Sequence, residues 1–127
     1  MLATQDVCAD GSFQTSYSVD DDLRERLIHM RHLIDLMELS FAQEAAEFAS
    51  SRDYEEDGSA SPIDWIRINC HLTGNAAADR VAVGALMGEL AQTVEAMAYG
   101  QVGFAHLTVM ARTANAVGTN FNEKALL

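Results

Sequence analysis

Four histidines and two cysteines are the residues of this sequence best suited to chemistry. His29, His32 and Asp35 follow one another at i, i+3 and i+6, roughly along one face of a helix. Imidazole and carboxylate at that spacing can begin a metal site. A carboxylate-bridged centre wants Glu-x-x-His on paired helices. Here Glu25 stands four residues before His29 and Glu38 three after Asp35, and no second segment offers a matching set. With Arg26 and Arg31 alongside, His29 and His32 read as a solvated flank, and no metal or other cofactor is expected. His106 lies near the start of an apolar segment with no Ser, Cys or carboxylate at a useful spacing, so it reads as a hydrogen-bonded packing residue rather than a general base. His71 falls in the turn after a short helix, where it can serve the last carbonyls. Cys70 sits between Asn69 and His71, but adjacent residues on a helix do not face each other, so it reads as a small core residue. Cys8 and Cys70 make neither a disulfide framework nor a zinc site and fit a reducing compartment. The GALMG stretch lacks the Lys of a phosphate loop. The run Asp53, Glu55, Glu56, Asp57 lacks the spacing and Gly of a calcium loop. No catalytic residue is expected.

The elements that carry these residues are all helical in pattern. Residues 1–17 are polar, rich in small residues and without period, and are expected as a flexible arm. A helix is expected from Ser18, a capping residue, with Asp20, Asp21 and Asp22 in the first turn where the helix dipole favours negative charge. Leu23, Leu27, Met30, Ile34, Met37 and Phe41 then recur at spacings of 4, 3, 4, 3 and 4, a heptad seam. Ile28, Leu33, Leu36, Leu39, Ala45 and Phe48 widen the stripe. A helix over 18–51 of this kind either pairs with a second copy through the seam or packs lengthwise on its own domain, and the pattern suits both. Residues 52–61 read as a solvated linker. Ser61 and Pro62 make a start signal for a second helix to about His71. A third is expected from Asn75 to Leu90, where Gly84 and Gly88 weaken propensity but admit another backbone closely. A fourth holds Val94, Met97 and Ala98 and ends at Gly100. A fifth spans 103–117, with Phe104, Leu107, Met110 or Ala111, Ala114 and Val117 on one face, and stops at Gly118. Met30, Met37, Met87, Met97 and Met110 fall on apolar faces and are expected in the core. Asn120 and Glu123 resemble a capping box opening a last helix that the sequence cuts short, as in a fragment of a longer protein. The expected fold is all-α: a long N-terminal helix on a compact bundle of four to five shorter ones, with a helix-turn-helix-like pair inside a 62–127 helical domain.

Composition narrows the partners. The chain has 127 residues, 49% hydrophobic and 21% charged, enough for one domain with a real core. One Pro and eight Gly argue against an all-β or collagen-like chain. Residues 1–57 hold 14 acids against 4 bases and residues 58–127 hold 5 against 4, so nearly all of the −11 net charge lies in the first half. Such acidity opposes phosphate backbones and anionic lipid. No apolar run approaches the ~20 residues a membrane span needs, and MLATQDVCAD has no signal-peptide pattern. The chain therefore reads as a cytoplasmic protein.

One set of motifs points further. SPIDWIRINCHLTGNAAADRV, LAQTVEAMAYGQVGFAHLTVMARTANAV and FNEKALL, with the long helix before them, resemble the 13E12-repeat family, also called domain of unknown function family 222, a likeness that covers about residues 20–127. Trp65 opens the pattern, Leu72 and Thr73 form its small-polar turn, Ala96, Met97 and Gly100 match one element, and Val102, Ala105 and His106 match the next. The resemblance implies a bacterial helical region that precedes an HNH endonuclease domain. The HNH motif itself has no counterpart in this sequence, so no nuclease activity is carried over and the chain is not expected to be an enzyme. Ala91 and Gly103 stand where the family commonly has Pro and Ser, and Arg80 is the sole base of a helix usually rich in Arg. GQVGFAH also resembles a run that follows a helix-turn-helix in chromosome-partition proteins. The expected role is a non-catalytic module that self-associates through Leu23, Leu27, Met30, Ile34, Met37 and Phe41, or positions a nuclease domain on DNA. The alternative is a helix-turn-helix DNA-binding module, with Arg67, Thr73, Asn75 and Arg80 as candidate DNA contacts. A remote alternative is a small helical metal-binding protein.

Overall fold

A computed structural model describes residues 22–127, and every element among them is helical. Residues 1–21, including the arm expected over 1–17 and the Ser18 cap, lie outside the described residues. Helix α1 spans Leu23–Ser51, α2 Pro62–Asn69, α3 Gly74–Leu86, α4 Ala91–Ala98, α5 Phe104–Val117 and α6 Glu123–Leu126. The all-α expectation holds. Residues 32–127 form one compact unit, and residues 22–31 belong to the unit that precedes it.

Helix α1 starts at Leu23, later than Ser18 would place it. Asp22 is the cap, its Oδ1 accepting the Glu25 N–H at 2.9 Å, which satisfies an orphan donor and sets a carboxylate against the positive end of the dipole. Its 29 residues, uninterrupted by Gly or Pro, give a rod of roughly 43 Å. It ends where the Ser50 and Ser51 hydroxyls bond the Glu47 and Phe48 carbonyls at 3.0 and 2.7 Å and Arg52 turns left-handed at φ 67°.

Residues 52–61, expected as a solvated linker, are mostly exposed and carry local turns. A 3-10 turn over Asp53–Glu55 follows Arg52, and Trp65 of α2 reaches back to donate Nε1–H to Asp57 Oδ2 at 2.6 Å. The Trp65 ring also packs on Phe48, tilted by 44° with centroids 4.6 Å apart, and Tyr54 meets Phe48 edge-on. Ser61 caps α2 as expected, its Oγ accepting the Asp64 N–H at 3.1 Å with Pro62 in the first turn.

The core lies in two regions of the 32–127 unit. In one, Leu36, Leu39 and Ala42 of α1 pack with Val83, Leu90, Met97, Phe104, Leu107 and Met110. In the other, Ala45, Phe41 and Phe48 pack with Ile66, Trp65, Ala77 and Val81. Leu90, Met97 and Leu107 are fully buried, each worth about 1.5–3 kcal/mol. Where α3 crosses α1, a Cβ on Gly84 would overlap the Ala42 carbonyl and lie 2.7 Å from the Ala46 Cβ. Gly84 therefore does admit a backbone closely, as expected. Gly88 does not: α3 stops at Leu86, and nothing lies within 4 Å of a Cβ there. Gly100 ends α4 at φ 77°, with Gln101 N–H bonding Ala96 O and Gly100 N–H bonding Met97 O, the paired bonds of a left-handed helix end. The last helix starts at Asn122, whose Oδ1 accepts the Ala125 N–H at 3.2 Å, not at Asn120. Glu123 instead reaches the start of α4, where its Oε2 accepts the N–H and hydroxyl of buried Thr93 at 2.6 and 2.7 Å.

Candidate functional site

The heptad seam turns out to lie mainly on the outer side of α1. Leu23, Leu27, Met30, Ile34 and Met37 are 64%, 61%, 37%, 45% and 72% exposed. Phe41 alone enters the core, half-buried beside Ala45 and Ile66. The face that packs on the bundle is a second stripe, Asp35, Leu36, Leu39, Ala42 and Ala45. Met30 and Met37 thus depart from their expected place in the core, whereas Met97 and Met110 are buried. The separation has a steric cause. A crossing as close as that at Gly84 needs small residues opposite it, and Ala42 supplies one that the larger seam residues cannot. Arg26 and Leu33, half-buried, and Ser40 and Glu47, exposed, follow one edge of the seam.

The candidate DNA contacts divide. Helices α2 and α3 form the expected turn-linked pair, with Thr73 capping α3 through its Oγ1, which accepts the Ala76 N–H at 3.1 Å. Asn75 and Arg67 are exposed, and the Arg67 Nε lies 3.7 Å from Asp64. Arg80 is not a surface base. Its Nε and Nη2 donate to the two Glu38 oxygens at 3.0 and 2.7 Å, its Nη1 donates to the Ala76 carbonyl, and its guanidinium lies 5.3 Å above the Phe104 ring. A bidentate pair of this kind locks α3 onto α1, so Arg80 is corrected from a DNA contact to an internal clamp. Arg112, another base of the 62–127 region, donates Nε–H to Asp79 Oδ1 at 3.0 Å, and that bond raises its already high pKa.

The histidines and cysteine take structural places. His29 is exposed; His32 is half-buried, with Nδ1 3.8 Å from where a Gly100 Cβ would stand. Among the described residues no three His, Cys, Asp or Glu side chains are grouped to hold a metal ion. His106 is exposed and its Nδ1 accepts the Gly103 N–H at 3.1 Å, closing the first turn of α5. His71 adopts φ 58° after α2, with Leu72 N–H bonding Arg67 O at 3.2 Å, so its backbone rather than its ring completes the helix end. Cys70 is half-buried against Ile66 and Ala77. The groove between α5 and Leu126, about 280 Å³, is lined by Ala105, His106, Val109, Met110 and Thr113. His106 is its one ionisable side chain, and it is already engaged.

Sequence reasoning missed Asp35 as a buried group. It is 5% exposed, and its Oδ2 lies 3.1 Å from where a Gly103 Cβ would stand, beside the start of α5. A carboxylate there is favoured by the helix dipole. The available signal was an acid inside the apolar run from Leu33 to Leu39, together with a Gly at the head of α5.

Comparison with known proteins gives no match: no family model, no curated protein and no solved structure matches this chain. Among the described residues no helix is long and apolar enough to cross a membrane.

Proposed function

We propose that this chain is a non-catalytic helical module that associates with a second copy of itself through the outer face of α1. In this reading it is the N-terminal helical region of an HNH-endonuclease-associated protein and holds a neighbouring nuclease domain in position on DNA. The observation that supports self-association is the exposure of five large apolar residues at heptad spacing on one helix. A contiguous apolar strip of that kind marks an interaction surface rather than ordinary surface scatter. The nuclease context rests on the resemblance of about residues 20–127 to the 13E12-repeat family. The helix-turn-helix alternative is weaker, because Arg80 and Arg112 are engaged by Glu38 and Asp79 and groove binding needs several bases free for phosphates.

Light scattering at tens of micromolar tests the reading. The chain is expected to run as a dimer, and the Ile34→Glu/Met37→Glu variant as a monomer with unchanged helical circular dichroism. A monomeric parent chain at that concentration overturns it.

A further inference from the structure

We propose that Met37 is a site of oxidation by hydroperoxides, and that its sulfoxide keeps two copies of the chain apart. The loss of pairing rests on the self-association proposed above; the reactivity of Met37 does not. Six methionines are present, of which Met30, Met37, Met87, Met97 and Met110 are described. Met97 and Met110 are buried, and Met87 packs half-buried against the same core. Met37 is 72% exposed, the most of the five, and Met30 37%. The cause is its place on α1. At 3.6 residues per turn Met37 stands about 160° around the helix from buried Asp35 and about 140° from buried Ala42. Its thioether is thus turned away from the bundle. A thioether has no proton to lose, so access to the sulfur decides which methionine reacts.

The sulfur lone pair attacks one peroxide oxygen, and the O–O bond breaks as the S–O bond forms. The second oxygen leaves as water or an alcohol, taking up the proton of the first. The sulfur loses two electrons and the peroxide gains them. The product is a polar sulfoxide where an apolar side chain stood. Met37 lies one turn after exposed Ile34 on the seam. In the pair, both are covered by the second copy. A sulfoxide oxygen covered there leaves water for apolar neighbours and loses its hydrogen bonds. In the single chain it stays hydrated. Oxidation therefore favours the single chain, and by linkage pairing shields Met37 from the peroxide.

Peptide mass spectrometry and sedimentation equilibrium test this with hydrogen peroxide as the probe. In chain diluted below its dimer Kd, Met37 is expected to gain oxygen before Met87, Met97 and Met110 do. Chain oxidised at Met37 is expected to show a dimer Kd raised at least ~10-fold, with unchanged helical circular dichroism. Met37→Leu, apolar and close in volume, is expected to pair as the parent chain does and to keep pairing after the same treatment. An oxidised parent chain that pairs as tightly as the reduced one overturns the inference and leaves self-association standing. A Met37→Leu chain that peroxide still separates assigns the effect to another residue and overturns the site. Oxidation of Met97 or Met110 ahead of Met37 overturns it as well. A reduced parent chain that is monomeric at tens of micromolar overturns the loss of pairing together with the self-association beneath it.

Discussion

Arg80 and Arg67 lie thirteen residues apart in a segment poor in bases, yet their surroundings assign them different work. The Arg80 side chain is 17% exposed and Glu38 27%, and the two share two hydrogen bonds. Removing the guanidinium leaves a partly buried carboxylate and exposes the Phe104 face, so Arg80→Ala is expected to cost about 2–3 kcal/mol in urea unfolding. Arg67, 46% exposed and paired loosely with Asp64, is expected to cost less than about 0.5 kcal/mol when replaced by Ala. Equal losses would mean that Arg80 does not clamp α3 to α1. At the end of α1, the hydrogen bond from Arg52 holds the Glu55 carboxyl below the usual range, against an opposing effect of desolvation. A depressed folded value means that this contact stabilises above the unfolded pKa of about 4.3 and is lost as pH falls through the folded value. Arg52→Asn, which tolerates the left-handed backbone, is expected to move the Glu55 titration midpoint upward in carbon-detected NMR. An unmoved midpoint would assign the depression to something other than Arg52.

The helices owe their ends to local chemistry and their placement to close contacts, and the two were not equally legible. Ser61–Pro62, Gly100 and Gly118 announce ends that any chain would obey, because caps and left-handed glycines act within one turn. The end of α3 was hidden: GALMGEL carries no breaker but Gly88, and the chain leaves the helix at Leu86. The two glycines of that stretch are expected to respond with opposite sign. Gly84→Ala gains about 1 kcal/mol of helix propensity, but its Cβ meets the Ala42 backbone, which cannot rotate aside. Overpacking there should win and leave a net loss of ~2 kcal/mol. Gly88→Ala meets nothing and is expected to gain roughly 0.4–1 kcal/mol from the unfolded state. His71→Gly is likewise expected to stabilise by about 1 kcal/mol, since φ 58° strains a residue with a Cβ. Thermal unfolding of the three variants checks the order: stabilisation by Gly84→Ala would contradict the crossing described at Ala42, and destabilisation by Gly88→Ala would contradict the open space around that residue.

At the scale of the molecule, two apolar stripes on α1 compete for one bundle, and hydrophobicity alone could not say which wins. Leu23, Leu27, Ile34 and Met37 are the larger set, but the bundle takes Leu39, Ala42 and Ala45 because α3 arrives with Gly84 foremost. The seam was readable as a pattern; its exposure depended on a residue fifty positions away. In the proposed self-association, that exposure sets local apolar attraction against the repulsion of two chains each carrying −11. The two terms have different ranges. Net repulsion acts over a screening length of about 30 Å at 0.01 M salt and is cut to about 8 Å at 0.15 M. Apolar contacts along the seam carry no charge and are not screened. Dimerisation through the seam is therefore expected to tighten from 0.01 to 0.15 M salt and not to loosen by 1 M, followed by sedimentation equilibrium at the three concentrations. Loosening between 0.15 and 1 M would show that ion pairs between the copies, not the apolar seam, carry the association. A fall from the lowest salt onward would show that local ion pairs outweigh the net charge throughout.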